Sequence, residues 1–140
     1  MRVIKFRGRT KEGIWVYGHL TEFHYPDNIK PRVCFIWEQS EDRYRIEKTQ
    51  VDANTIGQFT GLHDSRGNEI YEGDLISFED DPYKSVKWDD NFSCWIYWHT
   101  DEEHLDEDGY FDWLMLRKKD QKHYINHGNI HETSNLLNSK

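Results

Sequence analysis

The residues of this chain best suited to chemistry are three histidines near its end. His123, His127 and His131 are spaced by four. On a helix that spacing aligns the imidazoles on one face, and it recurs in metal-ligand sets. Gly128-Asn129 lies inside the run, however, and no Glu follows the first His as the zinc-protease pattern requires. The three are read as polar side chains near the terminus, and no metal is expected. The carboxylates Asp101, Glu102, Glu103, Asp106, Glu107 and Asp108 suggest a calcium loop, which needs a Gly at its sixth position and a Glu at its twelfth. Placing Gly109 sixth puts His104 first and Met115 last, so the register fails at both ends. A solvated acidic loop, available to a basic partner, is what remains.

Nucleophilic and nucleotide chemistry find equally little. There is no Gly-x-Ser-x-Gly elbow, P-loop or Gly-x-Gly-x-x-Gly pattern. Cys94 sits among aromatic residues, where burial raises a thiol pKa, and Asp89-Asp90 belongs to a turn. No catalytic residue and no cofactor are expected. Two groups are better suited to contact than to catalysis. Arg2, Lys5, Arg7, Arg9 and Lys11 form a basic stripe, followed by Trp15 and Tyr17; cations can track phosphates while rings stack on bases. The same Lys and Arg residues also suit the protection of an edge strand. Residues 92–99 are apolar on both faces, with Trp95 and Tyr97 on one of them, so that strand is either sandwiched in the fold or part of an interface.

Composition bounds these readings. The chain has 140 residues, enough for one domain or two small units sharing a core. Only 36% are hydrophobic, yet 15% are aromatic, and rings bury enough area to build a core from few residues. The net charge of −8 argues against a general DNA binder. No apolar run approaches the about 20 residues that span a bilayer, and the charged start of the chain is no signal peptide. Cys34 and Cys94 each lie in an apolar-aromatic run and are read as free thiols in a reducing cytoplasm.

The elements that must position these side chains read as β. Strands are expected at 2–10, 14–20, 32–37 and 44–50, forming a small antiparallel sheet. Residues 51–60 read as a joint, with Asp52 and Asn54 able to cap a turn. Further strands are expected at 75–78, 85–88, 92–99, 110–116 and 123–125, with a turn at 118–121 and a short C-terminal helical turn at 134–137. The expectation is a mainly β fold of two packed antiparallel units, 1–50 and 51–140, the second an SH3-like small barrel begun at residues 70–78.

Residues 60–78 are the most tightly specified stretch. Gly61, Asp64, Gly67, Gly73 and Asp74 all have turn roles there, since Asp side chains bond their own backbone and Gly takes positive φ. The run from Val51 to Asp64, followed by Gly67-Asn68-Glu69-Ile70-Tyr71-Glu72-Gly73-Asp74-Leu75-Ile76, resembles the YopX family of phage and prophage proteins. Ile4-Lys5-Phe6-Arg7 and residues 128–137 resemble the family's opening and closing segments. The chain departs from the family in carrying His131 and Ser134 where Tyr and Pro are usual. The resemblance implies a fold and a phage or prophage origin, not an activity. With the absence of catalytic motifs it leads to a non-catalytic accessory protein that binds itself, as a homo-oligomer, and a phage or host protein. A nucleic-acid module using the basic N-terminal hairpin is the alternative, and a metal-dependent enzyme using the late histidines is the last reading.

Overall fold

The computed structural model describes residues 2–26, 30–98 and 113–132. The acidic loop 100–109 and the helical turn 134–137 expected from the sequence lie outside the described residues. The fold is mainly β, in two antiparallel sheets, and the chain divides into two units, Met1–Phe59 and Thr60–Lys140.

The first unit holds β1 (Phe6–Arg9), β2 (Trp15–Phe23), β3 (Val33–Gln39) and most of β4 (Ile46–His63). They pair in the order β1-β2-β3-β4, and β1 also pairs with the later part of β4. Alternation explains the inside. Cys34, Ile36 and Val51 are buried, and Phe6, Val16, Leu20, Ala53 and Ile56 pack against them. The expected joint at 51–60 is instead continuous strand. Its turn chemistry survives as a bulge, because the β1 register jumps from Arg7↔Gly57 to Arg9↔Asp52. Asp52 Oδ1 accepts from the Asn54 N–H at 2.9 Å, Thr55 Oγ1 donates to the Asp52 carbonyl, and the Arg9 N–H donates to Thr55 Oγ1 at 2.8 Å. The polar groups released by the irregular ladder are thereby satisfied without ending the strand. Gly18 on β2 is a point of close approach: a Cβ there would stand 2.1 Å from the Trp37 carbonyl oxygen.

The second unit begins with the end of β4, which pairs with β5 (Glu69–Tyr71). It continues through β6 (Asp74–Phe78), β7 (Lys84–Asp89), β8 (Cys94–Trp98), β9 (Trp113–Met115), a 3-10 helix (Lys118–His123) where a turn was expected, and β10 (Tyr124–Asn129). The second sheet runs β10-β6-β7-β8-β9. Among the described residues no ladder joins β9 to β10, so the SH3-like closure expected of this unit is not among its pairings. The β7–β8 turn is built by Asp89, whose Oδ1 accepts from the N–H groups of Asn91 and Phe92. Phe92 therefore lies outside the strand expected to include it, 61% exposed. The core comprises Ile70, Ile76, Val86, Trp95, Tyr97, Leu116 and Tyr124. Full burial of an aliphatic side chain such as Ile70 or Ile76 contributes about 1.5–3 kcal/mol.

Candidate functional site

Of the three histidines only His127 lies on β10, in a strand rather than a helix; His123 ends the 3-10 helix and His131 follows the strand. His123 stacks on Phe78 at 4.8 Å, and its Nδ1 lies 2.5 Å from Glu79 Oε1. His127 packs on Tyr83 at 4.1 Å, with Nε2 2.9 Å from Ser77 Oγ. The His131 N–H donates to Asn129 Oδ1. Among the described residues no group of three or more His, Cys, Asp or Glu is placed to hold a metal.

Ser77 with His127 has the partners of a nucleophile–base pair but not its hydrogen-bond direction. Ser77 is 1% exposed and its hydroxyl donates to the Glu79 carbonyl at 2.9 Å. Its only hydrogen is thus committed, and the contact with His127 must run from Nε2–H to Oγ. A base must accept that proton, and here the imidazole donates. Burial, then the Arg66 guanidinium, pushes the His127 pKa below its usual 6.5. The folded state binds this proton less readily than the unfolded chain. The stability involved is present above pH 6.5 and is lost as the pH falls through the folded value. Denaturant unfolding should therefore show a steeper acid-side loss in the wild type than in His127→Gln; identical pH profiles would contradict this assignment.

The turn residues expected from the sequence converge on a residue that the sequence did not single out, Asn126. Asp64 Oδ1 accepts from the N–H groups of Arg66 and Asn68, and Oδ2 from Asn68 Nδ2 and the Asn126 N–H. Gly67, at φ 86°, supplies the left-handed corner that this turn needs. Asp74 Oδ2 accepts from the Tyr71 N–H at 2.7 Å and from Asn126 Nδ2 at 2.9 Å. Asn126 Oδ1 in turn accepts from the Gly128 N–H. One residue of β10, through its backbone N–H to Asp64 and its side-chain amide to Asp74, therefore ties together both turns of the 60–78 stretch. Burial opposes ionisation of Asp64, but the bonds from Asn68, Arg66 and Asn126 outweigh it and hold the pKa below the usual carboxylate value. Gly73 has positive φ within its turn, whereas Gly61, also at positive φ, lies inside β4 rather than in the turn expected for it.

Trp95 and Tyr97, expected on an interaction surface, are core residues at 9% and 4% exposure, and Ile96 between them is 1% exposed. β8 is sandwiched within its own unit, which accounts for its two apolar faces. Burial, then Tyr124, raises the Tyr97 pKa. Cys34 and Cys94 are free thiols, and burial raises both; Glu22 adds to the effect at Cys34 and Asp89 at Cys94. Neither is a ready thiolate.

The N-terminal candidates come together as part of a larger face. Arg7 and Arg9 pair in register with Tyr17 and Trp15. Arg7 is 5% exposed, with its guanidinium 4.7 Å over the Trp15 ring, so it is a buried cation rather than part of an open stripe. Tyr17 is 44% exposed. The same outward face continues across β2 and β3, through His19↔Trp37 and Thr21↔Phe35, and on to β4 through Trp37↔Lys48 and Phe35↔Gln50. Lys48 Nζ lies 4.8 Å from the Phe35 centroid and 5.6 Å from that of Trp37. The Trp37 indole N–H donates to Thr21 Oγ1 at 2.9 Å, and Phe23 meets Phe35 edge-on at 6.1 Å. No outward position of β1, β2 or β3, or of β4 as far as Gln50, is Asp or Glu. The next along β4, Asp52, already binds the Asn54 N–H.

Charge is divided in the same sense. Residues 1–59 hold 10 Lys and Arg against 8 Asp and Glu, a net +2, and residues 60–140 hold 8 against 18, a net −10, which together give the −8 of the chain. The alternation of 33, 35 and 37 was visible in the sequence. What the sequence lacked was the side on which Cys34 and Ile36 close the core.

A family model described as YopX protein matches residues 5–138. No curated protein matches the chain. Among solved structures, the crystal structure of protein EF1440 from Enterococcus faecalis is similar, with a TM-score of 0.56 at 22% identity, covering 98% of this chain and 99% of that one. That likeness concerns the fold.

Proposed function

Since the chain belongs to the YopX protein family, we propose that it is a phage- or prophage-type accessory protein of the bacterial or infected-cell cytoplasm, acting by binding rather than catalysis through the outward face of β1–β4. The observation that carries this reading is the composition of that face. Exposed rings stand beside Lys48 and Arg9, with no carboxylate among them up to Gln50. Rings and cations supply contact area and direction to a partner, while charged carboxylates would cost desolvation there. The donor role of His127 towards Ser77 supports the non-catalytic part of the proposal. Self-association belongs to the same reading, because the acidic residues 60–140 of a second copy complement the positive face.

The test is affinity purification of the tagged full chain from lysogenic or infected cells, reading both protein and nucleic acid. The wild type is compared with a Trp37→Ala/Lys48→Gln variant and with Lys122→Gln, which alters an exposed residue of the second unit. A component lost with the first variant and kept by the second is the expected result. Retention of every component by both variants overturns the proposal.

A further inference from the structure

Taking the binding face of β1–β4 as its premise, we infer that the ligand is single-stranded nucleic acid, with bases stacked on Trp37 and Phe35 and the phosphate chain tracked by Lys48. The two rings lie on one face of β3, two residues and so about 6.8 Å apart, which leaves each room for one base. Trp37 is 36% exposed, and its indole is already held by Thr21, so little rotamer freedom is lost when a base settles on it. The Lys48 ammonium, held over both rings by a flexible stem, swings aside as the bases settle and meets the phosphates that join them. Base stacking on aromatic rings beside a cation is tolerant of sequence and needs unpaired bases, because a duplex hides their faces. At the end of the row, Phe23, His24, Tyr25 and Val33 line a shallow depression of about 310 Å³ that can take a terminal base. The charge fits as well. The net −8 that disfavours a general DNA binder resides in residues 60–140, and residues 1–59 are net +2.

The experiment titrates the full chain into fluorescent homopyrimidine DNA and RNA of about 16 nucleotides, and into a duplex of the same length, at about 50 mM and about 200 mM salt. Binding to the single strand, tighter than to the duplex and weakened by salt, is expected. Trp37→Ala should weaken it about tenfold. Lys48→Gln, a change at an exposed position that leaves Trp37 in place, should weaken it and flatten its salt dependence, and Lys122→Gln should leave it unchanged. No binding to either single strand at low salt, equal affinity for duplex, or equal losses in Lys48→Gln and Lys122→Gln would overturn the inference. If no oligonucleotide binds while the face variant still loses a cellular protein or a second copy of the chain, the ligand class falls and the binding face stands. If neither experiment responds to the face variants, both fall.

Discussion

Asp74→Ala is expected to destabilise the second unit by about 3–5 kcal/mol. Asp74 is 1% exposed and its Oδ2 receives both the Tyr71 N–H and Asn126 Nδ2. Removing the carboxylate leaves two donors without this acceptor in a place with little access to water, and each costs about 1–3 kcal/mol. The damage should spread beyond the turn, because Asn126 also donates to Asp64 through its backbone. Asp74→Asn keeps one carbonyl oxygen able to take both bonds and should lose less. The order wild type, Asn, Ala in denaturant midpoint is the expected outcome. An Ala variant within about 0.5 kcal/mol of wild type, the range of an ordinary surface change, would show that the network is not what holds the two turns.

Gly18→Ala should be comparably damaging to the first unit, by about 3–5 kcal/mol. The added Cβ meets a backbone carbonyl oxygen, that of Trp37, at 2.1 Å, and a backbone atom cannot swing aside as a flexible side chain can. Relief requires β2 and β3 to separate, which breaks the ladder from His19↔Trp37 to Phe23↔Val33. The same shift displaces the ring proposed to stack on a base. Loss of fold in residues 1–59 with the Asp64–Asn126–Asp74 network intact is the expected pattern, read by amide hydrogen exchange. Unchanged protection throughout β2 and β3 would contradict it.

What the sequence disclosed follows from which interactions are local. Asp64 with Gly67, and Asp89 with Asn91, form turns closed within a few residues, and both were legible. The strands of the first fifty residues were legible from their alternation, although β1 starts at Phe6 because Val3 and Ile4, at 57% exposure, have no core to enter. Asn126 was not legible, because its partners lie 62 and 52 residues away and a lone Asn carries no periodic signal. β4 was cut short by Asp52 and Asn54, whose turn chemistry is present but contained in a bulge. Trp95 and Phe35 show the common limit. Each lies in a run apolar on both faces, where periodicity identifies two faces and leaves open which one is covered. Packing resolved them in opposite senses, Trp95 into the core and Phe35 to the outward face.

The most direct test of the binding face is backbone amide NMR of the full chain during titration with a homopyrimidine single strand. The predicted result is that shifts concentrate in β2, β3 and the Ile46–Gln50 portion of β4, with the Trp37 indole N–H among the largest, while β6, β7 and β10 stay in place. Shifts confined to residues 60–132, or none in β3, would contradict it.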